Sequence, residues 1–122
     1  MRTLFAIFLI LNLLVEALAS VSLIGGPEGL AAAGKGGMWS MHYGFAAFAI
    51  ASASLWVWPQ RNHQSAVTAV LGLLATFHSG LFVSLTAAGD QQAGMVIHAV
   101  LAVLAITLFA LRGRIASPAV AT

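Results

Sequence analysis

Residues 66–88 read AVTAVLGLLATFHSGLFVSLTAA, with no Asp, Glu, Lys or Arg and with His78 a little past the middle. A helix needs about 20 apolar residues, at about 1.5 Å each, to cross the hydrocarbon core of a bilayer. An imidazole at that depth is expensive, so such groups face the inside of a helical bundle and find a partner there. The fold follows from which other segments can surround that histidine.

The composition supports a membrane setting. The chain has 122 residues, 61% of them hydrophobic and 7% charged, with a mean hydropathy of +0.99. A soluble domain carries about 25% charged residues. Lipid is therefore the expected solvent for most of this surface, and the length suits one transmembrane domain over residues 1–122. The basic pI, about 10.0, rests on only five basic and three acidic residues. With no basic patch interleaved with aromatics, nucleic acid is excluded as a partner. There is no cysteine, which removes disulfides, thiolate metal sites, iron–sulfur clusters and covalent haem attachment. No GxSxG nucleophile elbow occurs, and the glycines of residues 25–37 match no phosphate-binding loop.

Outward from residues 66–88, three further spans are expected. The first covers residues 3–24 and is interrupted only by Asn12, Glu16, Ser20 and Ser22. Arg2, the apolar residues 4–15 and Ala17-Leu18-Ala19 before Ser20 also fit a cleaved signal peptide. The apolar run continues through Val21, Leu23 and Ile24, which favours a retained helix. Six glycines and Pro27 make residues 25–38 a loop, with a short amphipathic turn over residues 27–33 as the alternative. The second span, residues 39–58, carries Trp39 and Tyr43 at one end and Trp56 and Trp58 at the other, as an interfacial belt predicts. His42, Ala46, Ala49 and Ala53 form its expected small-residue stripe, with Ser52 and Ser54 nearby.

Residues 59–64 are a polar break. In the third span Thr68, Gly72, Thr76, Ser79, Val83 and Thr86 define a hydroxylated packing face, with His78 on the adjacent face beside Leu71, Ala75 and Phe82. Residues 89–92 turn the chain. The fourth span, residues 93–111, places Gly94, His98, Ala102 and Ala105 on one stripe. Arg112 and Arg114 stop it, and residues 115–122 read as a frayed tail. The expected fold class is all-α, an integral membrane bundle of four antiparallel transmembrane helices. With both termini cytoplasmic, Arg2, Arg61, Arg112 and Arg114 fall inside and Lys35 outside, in the extracytoplasmic loop 25–38.

Counting along the helices puts Glu16 and His78 about 18–21 Å from their inner ends and His98 about 8–9 Å from its outer end. The three therefore share one predicted level in the outer half of the membrane, with His42 shallower and Asn12 one turn below Glu16 on the same face. Each has a plain structural explanation: His42 as a wetted interfacial histidine, His98 as a packed hydrogen-bond donor, Asn12 as interhelical glue. One ionisable group per helix at similar depth fits a shared interior site better. Imidazole and carboxylate suit a divalent metal, with His78, His98 and Glu16 as ligands, and imidazole suits haem iron. No HxxxH or ExxH pair occurs to support ligation. Glu16 and a neutral histidine could also act as an acid–base pair on an apolar substrate. The third chemistry is plain binding of a lipid, a quinone or a partner helix, or a proton path.

The layout resembles the small four-helix bacterial membrane proteins that include the DoxX-like families. The similar features are Gly26-Pro27-Glu28 after the first helix, Tyr43-Gly44 opening the second, and two hydrophobic helices after it. The arginine and lysine positions typical of DoxX proteins around the first helix are missing, and no functional residue is carried over. In size and in intramembrane His and Glu the chain also resembles four-helix membrane isomerases of sterols or epoxides, an analogy of architecture. The expectation is a bacterial-type inner-membrane protein holding a small hydrophobic ligand or cofactor among Glu16, His78, His98, His42 and Asn12. The alternatives are a non-catalytic accessory subunit that meets a partner membrane protein or a second copy, and a membrane-embedded isomerase or haem- or metal-binding redox protein.

Overall fold

The computed structural model describes residues 1–25, 38–89 and 91–116. The expectations for the 26–37 loop (including its Gly-Pro-Glu sequence), for Asp90 and for residues 117–122 lie outside the described residues. Among the described residues the protein is all-helical. The helices are α1 (Arg2–Ile24), α2 (Met38–Val57), α3 (Gln64–Ala88) and α4 (Gln92–Ala110), with 3-10 turns at Trp58–Gln60 and Arg112–Arg114. Each boundary falls within two residues of the expected span. Helices α1, α3 and α4 are long and apolar enough to cross a membrane. Helix α2 spans 20 residues and is less apolar, because Ser40, His42, Tyr43, Ser52 and Ser54 dilute it.

The chain divides into two compact units, one of Met1–Phe8 with Val57–Thr122 and one of Leu9–Trp56. In the first unit α3 and α4 form an antiparallel hairpin. Gly89 ends α3 at φ 73°, and its N–H donates to the Leu85 carbonyl at 2.9 Å. That left-handed position is one that only glycine adopts without penalty. The register is tight: a methyl group at Gly72 would lie 3.6 Å from the Phe109 ring, and one at Gly94 would lie 3.3 Å from Leu85.

The buried face of α3 is Val67, Val70, Leu71, Leu74 and His78, and that of α4 is His98, Leu101, Ala102, Ala105 and Leu108. Both sets recur at three- and four-residue steps, which is one side of a helix. The α4 stripe matches the expectation at His98, Ala102 and Ala105. The hydroxylated α3 face does not. Thr76 and Thr86 are exposed, and their hydroxyls donate to the carbonyls of Gly72 and Phe82 in their own helix. Hydroxyls satisfied one turn back have no need of a neighbouring helix. Nor does Phe82 share the buried face with His78; it is exposed.

The expected frayed tail does not include residues 115 and 116. Ile115 and Ala116 are buried, and Arg2 Nε donates to the Ile115 carbonyl at 2.9 Å. That bond joins the start of α1 to the turn after α4, and Phe5 and Phe8 on the same stretch of α1 are buried. In an antiparallel hairpin the start of α3 and the end of α4 share one end. Arg2, Arg61, Arg112 and Arg114 therefore gather at a single end of this unit. Arg61 lies over the Trp58 ring at 4.8 Å and Arg112 over the Phe109 ring at 4.5 Å, each also capping a nearby carbonyl.

In the second unit Leu9–Ile24 of α1 runs antiparallel to α2. Within this unit the buried positions of α2 are Gly44, Ala47, Ala51 and Ser54, not the His42, Ala46, Ala49 and Ala53 stripe, of which His42, Ala46 and Ala49 are exposed. Closeness of approach decides between the two faces. A methyl group at Gly44 would sit 2.7 Å from Ile24 Cγ1 and 3.1 Å from Leu23 Cβ, so the backbones meet where no side chain intervenes. Gly44→Ala should destabilise the protein in detergent by about 1–3 kcal/mol, the ordinary cost of overpacking. Ile24→Ala in the same chain should restore part of the loss; a melting temperature unchanged by Gly44→Ala would refute the close contact.

Candidate functional site

The buried stripe of α3 carries an imidazole where its apolar pattern calls for one more leucine. Val67, Leu71, Leu74 and His78 follow one another around a single face, and His78 is fully buried. On α4 the corresponding stripe opens with His98, 8% exposed. Antiparallel pairing sets the second half of α3 against the first half of α4, which brings the two rings together.

Their Nδ1 atoms are 3.0 Å apart, a hydrogen-bond distance. One ring is therefore the Nδ1–H tautomer and donates to the bare Nδ1 of the other. Two imidazolium rings would set N–H against N–H, so this contact requires at least one neutral ring. The rings stack with centroids 5.3 Å apart and an interplanar angle of 28°. Phe77 stands edge-on to both, 5.3 Å from His78 at 73° and 6.3 Å from His98 at 82°. With an aromatic wall beside them and helix backbones behind, both imidazoles are held in orientation.

The second unit buries its own polar row. Asn12, Glu16 and Ser20 follow Phe5, Phe8 and Leu9 on one stripe of α1, and all three are at most 2% exposed. Asn12 Nδ2 uses its two hydrogens separately, donating to Ser54 Oγ at 2.9 Å and to the Ile50 carbonyl at 3.2 Å. This is the interhelical bonding expected of Asn12, with Ser54 as a partner that spacing along α2 did not single out. Glu16 is a carboxyl group enclosed by protein, one turn beyond Asn12. His42 is exposed on α2.

Of the five candidate residues, the structure therefore joins His78 to His98, ties Asn12 to α2, buries Glu16, and leaves His42 on the surface. Sequence patterning passed over Ser54 and Phe77. Ser54 lies seven residues beyond Ala47 on the buried face, a signal readable only once Gly44 is known to mark that face. Phe77 is one more aromatic in an aromatic-rich span, with no signal of its own.

The pair can act as a hydrogen-bonded proton carrier or as two nitrogen ligands on one side of an ion. It does not fit the haem alternative as a bis-histidyl site. Trans axial imidazoles stand on opposite faces of the macrocycle with nitrogens about 4 Å apart, given metal–nitrogen bonds of about 2 Å. At 3.0 Å no ring system lies between them. No family model matches the chain, and neither a curated protein nor a solved structure matches it. These comparisons lend no support to the resemblance to DoxX-like proteins.

His78→Phe and His98→Phe should each destabilise the protein by about 1–3 kcal/mol, since each leaves a buried imidazole without this bond. The double variant should lose less than the two singles together, with a coupling of about 0.5–3 kcal/mol in a detergent unfolding series. Strict additivity would show that the two rings do not meet.

Proposed function

We propose that this is a multi-pass protein of a bacterial-type inner membrane that binds a small hydrophobic ligand or cofactor through polar groups in its outer half, with the His78–His98 pair at the centre. The observation that carries the proposal is a buried, mutually hydrogen-bonded pair of imidazoles inside a hairpin whose two helices are both apolar enough to span a bilayer. Ionisable side chains at membrane depth cost several kcal/mol and mark functional sites by default. Glu16, buried in the other unit, is a second proposed binding residue, about 21 Å along α1 from Arg2.

In this proposal α2 is the fourth span. Its 20 residues reach about 30 Å, the thickness of the hydrocarbon core. Trp56 and Trp58, both exposed, stand at its end as interfacial anchors. Both termini are cytoplasmic, an assignment supported by the gathering of all four arginines at one end of the α3–α4 unit. The accessory-subunit reading is favoured by one observation: the Asn12–Ser54 bond ties α1 to α2 as interhelical glue. The His78–His98 contact would then be glue as well. A membrane isomerase would need the same pair to move a proton on a bound apolar substrate.

Because the chain has no cysteine, single cysteines report topology directly. A cysteine at Gln91 should react with a membrane-impermeant maleimide in intact spheroplasts, and one at Asn62 only after the membrane is opened; the reverse pattern would refute the orientation. For the ligand, native mass spectrometry of protein extracted in mild detergent should show a bound lipid or quinone-like species. Ligand binding predicts that His78→Gln and Glu16→Gln release it while the helical melt persists. If those variants only lower the melting temperature and nothing is ever bound, the accessory reading stands and the ligand site falls.

A further inference from the structure

We propose that the Nδ1 atoms of His78 and His98 are neighbouring ligands of one divalent transition-metal ion, of the class from iron to zinc. The inference rests on the reading of this pair as a ligand or cofactor site, and it names the cofactor class. The geometry carries it. Imidazole–metal bonds of about 2.0–2.1 Å from two nitrogens 3.0 Å apart enclose an angle of about 94° at the ion. That is close to the 90° between adjacent positions of an octahedron. Opening the pair by about 0.3 Å would reach the tetrahedral angle of zinc. A linear two-coordinate ion would need nitrogens about 4 Å apart, which the contact does not provide.

The chemistry of the two rings agrees. The contact already requires at least one neutral imidazole with a bare Nδ1, and taking up the ion moves the donor ring's Nδ1 proton to its own Nε2, with no net proton released from a neutral pair. Nitrogen ligation selects this class over magnesium and calcium, which prefer oxygen. Phe77, edge-on to both rings, fixes their orientation in the way that ligand support shells do. Two protein nitrogens leave further positions on the ion for water, a carboxylate or the oxygen of a bound molecule, the arrangement of an open rather than a closed site.

Cobalt(II) is a suitable probe, because its visible bands report both stoichiometry and geometry. The chain has four histidines, and His42 and His63 are exposed. The variant His42→Gln/His63→Gln keeps only the two buried imidazoles and leaves the hairpin core untouched. The full chain carrying that pair of changes, stripped of metal in mild detergent, should bind one cobalt ion per chain. X-ray absorption of the loaded protein should then show two imidazoles. Adding His78→Gln or His98→Gln should weaken binding by more than the about 10–100-fold that loss of an outer-sphere partner costs.

No cobalt bound, or fewer than two imidazoles in its absorption spectrum, overturns the proposal, and neither result depends on a core variant folding. Binding that survives both His78→Gln and His98→Gln overturns it as well. If cobalt fails to bind while a hydrophobic ligand is still retained, the metal is refuted and the ligand site stands. If neither binds, the reading beneath it fails too.

Discussion

A polar side chain enclosed by apolar helices must find its partner within the protein, and that constraint shapes both units. In the hairpin of α3 and α4 it is met by imidazole bonding to imidazole; between α1 and α2 it is met by the divided amide of Asn12. Neither arrangement tolerates much sliding. A shift of one residue along either helix would rotate the polar group by about 100° and carry it out of reach. The polar contacts therefore set register, while the small residues beside them set distance. Gly44 lets two backbones close in, and the bonds select which register is kept.

Much of this was legible in the sequence, for physical reasons. Apolar runs bounded by glycine, proline and arginine locate the helices to within two residues, because few other structures satisfy every backbone group over such lengths. The α4 stripe was legible because Ala102 and Ala105 recur at helical spacing from His98 amid larger side chains. Depth counted along the helices put His78 and His98 at one level, and their contact agrees with that count.

The packing faces of α2 and α3 were harder to read. On α2, Ala46, Ala49 and Ala53 are as small as Ala47 and Ala51, so size alone does not choose between two faces of one alanine-rich helix. The choice falls to Gly44, which is smaller by one methyl group and meets Ile24 at that point. On α3 the hydroxyls of Thr76 and Thr86 resemble interhelical donors in sequence, yet each is satisfied by its own backbone. A polar residue in an apolar segment thus advertises a partner only when its side chain is too short or wrongly shaped to reach the preceding turn. Asn12, His78 and His98 pass that test; threonine does not.

The bond from Arg2 to Ile115 spans 113 positions of sequence, and it bears on the order in which the molecule is made. Arg2 cannot make this bond until the turn after α4 exists. During translation the start of α1 must wait for it, and the contact carries a larger loop-closure entropy than the α3–α4 hairpin does. Until then the arginine end of this unit stays open. A chaperone or protease acting on half-made chains would find its opportunity there.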